Sequence, residues 1–307
     1  MGTVTGLLKG IKSEFQLLTK APERVAYAPF IQEINSVSNE ENYWIPTEVG
    51  NPRALLDGIE LKQMNDLKLT IVNKEYYDGL EELRLSILNS QEYLSANVQN
   101  HINSIVTGWQ SFKVNAIDDL IGNNGNAFDG TAFFSSSGRP NIATSILGGS
   151  TGASNQSTGA MASATDTSDF FADVAKARTG LWSIRDINKR YYNDPNNTDA
   201  YVWVPVDMKD SAEKIFNPGQ NLISIAGVMI SNPYAGTAKI ITYQTTTHNW
   251  MMSNGNAPVK PFIIQNRQEP EWFMTDNPEN RFVKYFYKAV IGFGYGSPFS
   301  MYRVVNA

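Results

Sequence analysis

The pattern that most resembles an enzyme motif is Gly-Gly-Ser-Thr-Gly at residues 148–152, which fits the nucleophile elbow Gly-x-Ser-x-Gly. In an acyl-transfer enzyme such a serine is exposed on a strained turn between a strand and a helix, and a histidine activates it. His248 does follow Ser150 in the chain. However, the flanking residues form a low-complexity Ser/Gly tract that produces this pattern by chance. We therefore predict no nucleophilic serine.

The other residues with possible chemistry are isolated. They are His101 and His248, the adjacent acids Glu40-Glu41, Glu81-Glu82 and Asp118-Asp119, and the glycine-rich residues 292–296. The histidines lack a ligand partner, and adjacent carboxylates most often point in different directions or share a solvated face. No helix or Gly-Lys-Ser/Thr follows the glycines. The chain has no cysteine, which excludes thiolate nucleophiles, zinc ribbons and iron–sulfur clusters. We predict no catalytic residue, no cofactor and no metal site, and therefore not an enzyme.

The composition excludes some classes of protein and leaves two interpretations of the low charge. The 307 residues include 25 basic and 30 acidic side chains, and only 18% are charged. A net charge of −5 argues against a basic nucleic-acid-binding surface. The longest apolar run, Leu222 to Ile230, is far shorter than the ~20 residues of a membrane helix. Low charge with 30 asparagines is typical either of surfaces buried between chains or of a general asparagine bias.

The first 88 residues are predicted to be extended. Prolines at positions 22, 29 and 46 prevent a long helix in residues 1–50, which we interpret as an arm. Apolar and polar residues alternate over 67–71 and again over 83–87, and Asp78-Gly79 between them is typical of a turn. The pattern predicts a protruding hairpin within residues 51–88. Its apolar stripe is thin, so it needs a neighbour to lie on.

The remaining chain mixes helices and strands, which predicts the α+β class. Apolar residues at three- and four-residue steps predict one long helix over 91–121. A flexible Ser/Gly loop is predicted at 135–168, and Ser168 is predicted to cap a second helix that reaches Ile184. The later predictions are a strand at 201–205, a short helix at 207–216, and strands at 222–230, 238–243, 262–264 and 282–291.

The order of these elements resembles the Hong Kong phage-type capsid fold, which has an arm, a long hairpin, a long helix and a mixed β domain. The local residues are similar to those of the Mu-like phage major head subunit family. The similar segments are Ala26-Tyr-Ala-Pro29, Tyr43-Trp44, residues 69–76, 83–87, 127–130, Phe133-Phe134, 202–205, 212–216, 232–236, 261–265, Arg267 and 294–296.

The resemblance implies a place in that fold for each part of the chain. The arm is residues 1–50 and the extended loop is 51–88; the peripheral domain is 89–164, with spine helix 91–121. The axial domain is 165–280, and 281–307 returns to the peripheral domain. The resemblance also implies contacts between subunits, and the candidates are Tyr27, Phe30, Tyr43, Trp44, Arg53, Lys62, Lys68, Tyr76, Tyr77 and Arg84.

On this resemblance we expect the major capsid protein of a tailed double-stranded DNA phage, located in the virion and assembled in the bacterial cytoplasm. Pentamers and hexamers would form an icosahedral shell that encloses DNA without binding it specifically. The expected partners are copies of the same chain, portal and scaffold proteins, and, as a further option, decoration proteins; no membrane is involved. Because the sequence begins at Met1, we expect a separate scaffold protein. An encapsulin-like nanocompartment shell and a phage tail or adhesin protein remain as alternatives.

Overall fold

The computed structural model describes residues 25–44, 68–83, 91–136, 154–184, 191–194, 196, 199–225, 227–245, 247–276 and 282–306. Within these ranges the helices are α1 (Gln91–Asn123), α2 (Thr167–Ser183) and α3 (Lys209–Phe216), with short 3-10 helices at Val25–Phe30, Val206–Met208 and Pro298–Ser300. The strands are β1 (Ile31–Asn35), β2 (Glu40–Trp44), β3 (Lys68–Val72), β4 (Lys74–Leu83), β5 (Gln156–Thr158), β6 (Ala200–Pro205), β7 (Leu222–Ile225), β8 (Val228–Ser231), β9 (Lys239–Tyr243), β10 (Trp250–Asn254), β11 (Phe262–Asp276), β12 (Phe282–Tyr295) and β13 (Met301–Val305).

Two larger sheets organise these elements. One has the strand order β1-β11-β12-β4, and the other has the order β5-β13-β10-β6-β9. Strands β2 and β3 form a separate two-stranded sheet, as do β7 and β8. Parallel and antiparallel pairs occur together, and the helices pack on one face of a sheet, so the predicted α+β class is confirmed.

The five-stranded sheet separates two hydrophobic cores. Side chains alternate along β6, so Val202 and Val204 face helices α2 and α3 in one core. Trp203 points the opposite way, into a core that also contains Phe30 and the four-stranded sheet. Every residue of β6 is buried, which explains its continuous apolar sequence. The predicted strand over 201–205 is therefore confirmed.

Helix α1 confirms the long helix predicted from apolar spacing. Its 33 residues span about 50 Å. Ile105 and Val106 pack against Tyr287 of β12, which seats the middle of the helix on the four-stranded sheet. The helix ends where Asn124 adopts a positive φ of 46° while its backbone N–H bonds to the carbonyl of Leu120.

The predicted turn at Asp78-Gly79 is wrong, because both residues lie inside the continuous ten-residue strand β4. Strand β3 pairs with β2, and β4 pairs with β12, so the predicted local hairpin does not form between β3 and β4. The reason is long-range burial. Tyr76 of β4 packs edge-on against Phe112 of α1, at 4.7 Å between ring centres, a contact that a local hairpin lacks. The rest of the predicted extended loop lies outside the described residues.

Strand β11 is much longer than the predicted run of residues 262–264. It continues to Asp276 even though Pro270 has no N–H to donate to a neighbouring strand. The pairing with β12 shifts register on both sides of Gln268, and the second shift spans the proline. Such bulges accommodate a proline inside a strand, which the local sequence pattern does not reveal.

The predicted flexible loop at 135–168 is wrong for its second half. Strand β5 pairs in parallel with β13, and the preceding Asn155 is buried. The Asn155 side chain donates to the carbonyls of Phe133 and Pro298, at 2.9 and 3.0 Å, and accepts from the N–H of Ser135. A single asparagine thus fixes the end of the loop to the core. Residues 137–153, including the nucleophile-elbow pattern, lie outside the described residues.

The second predicted helix is confirmed as α2, but its predicted cap is wrong. Asp166 caps the helix, since its side chain accepts a hydrogen bond from the N–H of Asp169 at 3.1 Å. Ser168 is instead inside the first turn. A carboxylate at this position satisfies a free N–H and also interacts favourably with the helix dipole.

Tyr192 makes the stability of the core that contains Phe30 and Trp203 depend on pH in the alkaline range. Its hydroxyl shares a 2.9 Å hydrogen bond with that of Ser297, and burial raises its pKa to about 12. An unfolded tyrosine titrates near pH 10, so the stabilisation is complete below about pH 10 and is lost as pH rises toward 12. We expect the free energy of unfolding to fall by about 3 kcal/mol over this window. Urea unfolding at several pH values would show a smaller fall for Tyr192→Phe than for the wild type; an equal fall would contradict the assignment.

Candidate assembly surfaces

The 3-10 helix Val25–Phe30 holds two of the predicted contact residues inside the chain's own core. The Tyr27 hydroxyl donates to the Asp118 carboxylate at 2.7 Å, and its ring centre lies 4.7 Å from that of Trp203. Phe30 is fully buried, with its ring 4.9 Å from Trp203. These side chains present no surface to a neighbour because the junction of two sheets encloses them, so we do not propose subunit contacts for Tyr27 and Phe30.

The two-stranded β2–β3 sheet lies on the C-terminal part of β12. Ile71 of β3 occupies the space above Gly294, where a Cβ atom would lie 2.5 Å from the Ile71 side chain. Tyr43 of β2 donates to the Gln265 side chain at 2.7 Å, and burial raises its pKa. Lys68 is exposed at the end of this sheet, where its backbone pairs with that of Trp44. Three other candidates, Arg53, Lys62 and Arg84, lie outside the described residues.

Adjacent tyrosines of β4 point to opposite faces of the four-stranded sheet. Tyr76 is partly buried toward α1, where it packs on Phe112 and Phe293. Tyr77 points away from the helix and is 79% exposed. Alternation along the strand therefore leaves Tyr77, but not Tyr76, available to another molecule.

The sheet surface around Tyr77 is aromatic at its centre and charged at its sides. We call it the ribbon face; it consists of Glu75, Tyr77, Glu81, Glu271, Phe273, Phe282, Lys284, Phe286 and Lys288. The paired strands place Phe273 opposite Phe286, and their rings stack at 5.5 Å. Lys288 and Lys284 form ion pairs with Glu75 and Glu81, at 2.8 and 3.4 Å. Exposed ion pairs contribute little to subunit stability, whereas an apolar centre with a polar rim is the usual anatomy of a protein interface.

A second exposed apolar surface is the hairpin formed by β7 and β8. Leu222, Val228 and Met229 are each about 60% exposed. The hairpin is a separate two-stranded sheet, and in the described residues its strands pair only with each other. Two strands alone are marginally stable in water, so such a hairpin requires support from the rest of the molecule.

Sequence reasoning missed both surfaces. No sequence signal marks the aromatic residues of the ribbon face as exposed, because their exposure depends on the register of β11, β12 and β4. A sequence signal does exist for the hairpin, since no charged residue occurs between Lys214 and Lys239. Depletion of charge around exposed aliphatic residues is typical of an interface core.

Of the residues with possible chemistry, His248 and Asp118 each have a polar partner in the structure. His248 Nε2 lies 3.3 Å from a carboxylate oxygen of Asp207, but no cluster of three metal-binding side chains occurs in this part of the chain. A surface groove of about 680 Å³ contains Asp118 and Asp119, of which Asp118 already accepts hydrogen bonds from Tyr27 and the N–H of Gln244. Among the described helices, none has the length and apolar character needed to span a membrane.

Comparison with known proteins identifies the family of the chain. The model of the family described as phage capsid protein matches residues 109–304. No curated protein sequence matches the chain significantly. In solved structures, the mature capsid of bacteriophage PhiM1 is similar, with 11% identity, coverage of 90% of this chain and 85% of that chain, and a TM-score of 0.53.

Two further structures share the fold at low identity. The capsid of a native GTA particle has 10% identity, with 93% and 91% of the two chains covered and a TM-score of 0.52. A virus-like particle from Pyrococcus furiosus has 7% identity, with 96% and 98% covered and a TM-score of 0.52. These likenesses confirm the capsid fold expected from the sequence. Together with the family match over most of its length, they show that the chain belongs to the phage capsid protein family and is a major capsid protein, a structural component of a virion.

Proposed function

We propose that many copies of this chain assemble as pentamers and hexamers into the icosahedral shell of a tailed phage, which encloses packaged double-stranded DNA. The observation that carries the proposal is the match of the phage capsid family model to residues 109–304. The ribbon face and the β7–β8 hairpin support it, because each exposes apolar side chains that a neighbouring copy would cover. The chain acts mechanically, with no catalytic step.

The charge of the chain suits a container for DNA. A net charge of −5 avoids the strong phosphate binding that would obstruct packaging and release of the genome. Shell assembly would take place in the bacterial cytoplasm, with portal and scaffold proteins as partners and decoration proteins as a further option. The encapsulin-like and tail or adhesin alternatives are not favoured, because the matching family model is that of phage capsid proteins.

We assign the parts of the capsid fold as the sequence suggested. Residues 1–50 act as the arm, 51–88 as the extended loop, 89–164 and 281–307 as the peripheral domain, and 165–280 as the axial domain. The packing of α1 on the four-stranded sheet, and of α2 and α3 on the five-stranded sheet, supports two structural units. The sheets cross the assigned bounds, because β11 joins the four-stranded sheet and β5 and β13 join the five-stranded sheet. Among the contact candidates that the structure describes, we propose the exposed Lys68 and Tyr77 for contacts between subunits. Arg53, Lys62 and Arg84 stay predictions.

Electron microscopy of the chain expressed with a scaffold protein tests the assembly. We expect closed shells with five-fold vertices, and nuclease-protected double-stranded DNA in particles from infected cells. Shells that contain a copurifying protein cargo in place of DNA would support the encapsulin-like alternative. Monomers alone under these conditions would contradict the proposed function.

Substitutions of the two adjacent tyrosines of β4 distinguish an effect on shell assembly from an effect on subunit folding. We expect Tyr77→Ala to leave the free energy of subunit unfolding within about 0.5 kcal/mol of the wild-type value, because the ring is exposed. If the ribbon face is an interface, the same change weakens subunit association by about 2 kcal/mol. Tyr76→Ala is the matched control, and it destabilises the subunit itself by removing the contact with Phe112. Urea unfolding and shell yield measure the two effects; normal shell yield for Tyr77→Ala would exclude this residue from the interface.

A further inference from the structure

We propose that Lys113 and Asn266 become joined by an isopeptide bond within one chain, with the Glu33 carboxylate as the group that transfers the protons. The bond would connect helix α1 to strand β11 through their side chains. It is a modification of the folded subunit, so it goes beyond the proposed function and does not rest on it. Three observations carry the inference.

The first observation is that one carboxylate contacts both reacting groups. Lys113 Nζ lies 3.2 Å from Glu33 Oε1. The side-chain amide of Asn266 donates from Nδ2 to Glu33 Oε2, also at 3.2 Å. Because these contacts use the two oxygens of the same carboxylate, the amine and the amide lie side by side. An amine nucleophile, a carboxamide and a proton-transferring carboxylate are the groups that this condensation requires.

The second observation is that the fold holds the three side chains in place. Glu33 is in β1, which pairs in parallel with β11 along its whole length. Lys113 follows Phe112, whose ring packs edge-on against Phe293 of β12, at 5.4 Å between ring centres. The helix and the sheet are therefore fixed relative to each other by core contacts. Groups held in this way react at a high effective concentration.

The third observation is the burial of the groups that would react. Asn266 is 7% exposed, and within the described part of the chain its buried Oδ1 has no hydrogen-bond partner. Rotation of the amide brings Oδ1 to Glu33, where a protonated carboxyl donates to it and polarises the carbonyl. The Lys113 side chain is 17% exposed, whereas the Glu33 side chain is 42% exposed, which leaves an exit for ammonia.

The proposed step is a condensation in which no atom is oxidised or reduced. Glu33 takes one proton from the Lys113 ammonium, and the neutral Nζ attacks Cγ of Asn266. The electron pair of the carbonyl π bond moves to Oδ1, where the protonated Glu33 stabilises the negative charge. When the carbonyl re-forms, the Cγ–Nδ2 bond breaks, and Nδ2 leaves as ammonia with a second proton from Nζ. Glu33 then gives its proton to the ammonia, so each subunit reacts once and releases one ammonium ion.

Intact-mass spectrometry of the purified, unassembled wild-type subunit tests the bond directly. We expect a mass about 17 Da below that of the sequence, because ammonia is lost when the amide forms. A tryptic digest should contain one branched peptide in which the segments around Lys113 and Asn266 are joined. On a denaturing gel the protein should run as a single subunit, because the bond lies within one chain.

Two variants remove the reaction and keep the contacts. Lys113→Arg retains a cation beside Glu33 but has no amine, and Glu33→Gln retains the shape but cannot accept the proton. Both are expected to have the full mass of their own sequences. Both should unfold at a lower urea concentration than the wild type, because the unfolded chain is no longer restricted by the bond.

Glu75→Gln is the matched control for the loss of a carboxylate. Glu75 forms its ion pair with Lys288 on the ribbon face, at 2.8 Å. Its replacement is expected to leave the loss of about 17 Da unchanged, because the carboxylate at Glu33 is intact.

Each of the other outcomes overturns the inference. A wild-type subunit with the full mass of its sequence would mean that the three side chains form only an ion pair and a hydrogen bond. A loss of ammonia that persists in Lys113→Arg would come from another site, such as cyclisation at an Asn-Gly pair. Bands larger than one subunit would show that the bond joins different copies. All these measurements use unassembled subunits, so a failure to form shells would contradict the proposed function alone.

Discussion

Gly296→Ala is expected to prevent most of the expressed protein from folding into soluble subunits. A Cβ atom at Gly296 would lie 2.1 Å from the backbone carbonyl oxygen of Lys260, far inside contact distance. That oxygen cannot move away freely, because it accepts a hydrogen bond from Ser297 N–H, and Gly296 N–H bonds to the carbonyl of Pro261. The two strands that meet here, β11 and β12, would have to separate. We expect a loss of about 3 kcal/mol or more in the free energy of unfolding.

Gly108→Ala is the matched control for this substitution. Gly108 lies within α1, and apart from the adjacent residues and the helix backbone no atom lies within 4 Å of the position that a Cβ would take there, so a methyl group fits. Alanine at an exposed helix position is expected to stabilise the subunit by about 0.5–1 kcal/mol. Soluble yield and urea unfolding monitored by tryptophan fluorescence compare the two variants. An unfolding midpoint for Gly296→Ala equal to that of the wild type would refute the close contact.

Phe30→Ala is expected to have the second-largest effect, because it removes the aromatic anchor of the N-terminal segment. The Phe30 ring is fully buried and packs edge-on against Tyr201 and Trp203, at 4.9 Å in each case. Truncation of a buried phenylalanine costs about 3–5 kcal/mol. Strand β1 directly follows this residue, so its amide protons should exchange faster with solvent in the variant.

Val37→Ala controls for truncation in the same segment. Val37 is 93% exposed, so its loss is expected to change the free energy of unfolding by no more than about 0.5 kcal/mol. Urea unfolding and hydrogen exchange of β1 would separate the two variants. Equal exchange rates in Phe30→Ala and Val37→Ala would mean that the aromatic contacts do not hold β1 in place.

Local patterns predicted the elements that depend on local burial. Helix α1 follows from apolar spacing, and β6 follows from a continuous apolar run. The Asp78-Gly79 prediction failed because turn propensity is weak compared with the burial gained when β4 pairs with β12. Similarly, the length of β11 depends on bulges opposite β12, which no window of sequence around Pro270 contains.

For the candidate contact residues, too, the local sequence gives the type of side chain but not its exposure. Tyr76 and Tyr77 are adjacent and chemically identical, yet one packs on α1 and the other is exposed. Phe30 looked like an arm residue available to a neighbour, but the junction of two sheets encloses it. Sequence identifies such residues as aromatic anchors; it does not say whether the anchor is used within the subunit or between subunits.

The α+β class, the long helix, the resemblance to phage capsid proteins and the absence of charged residues from Ile215 to Ala238 are all evident in the amino-acid sequence. These properties are encoded in residue type and local spacing. Which apolar side chains remain exposed, on the ribbon face and on the β7–β8 hairpin, follows from the tertiary structure. Exposure depends on the partner strand and its register, which bring together residues far apart in the chain.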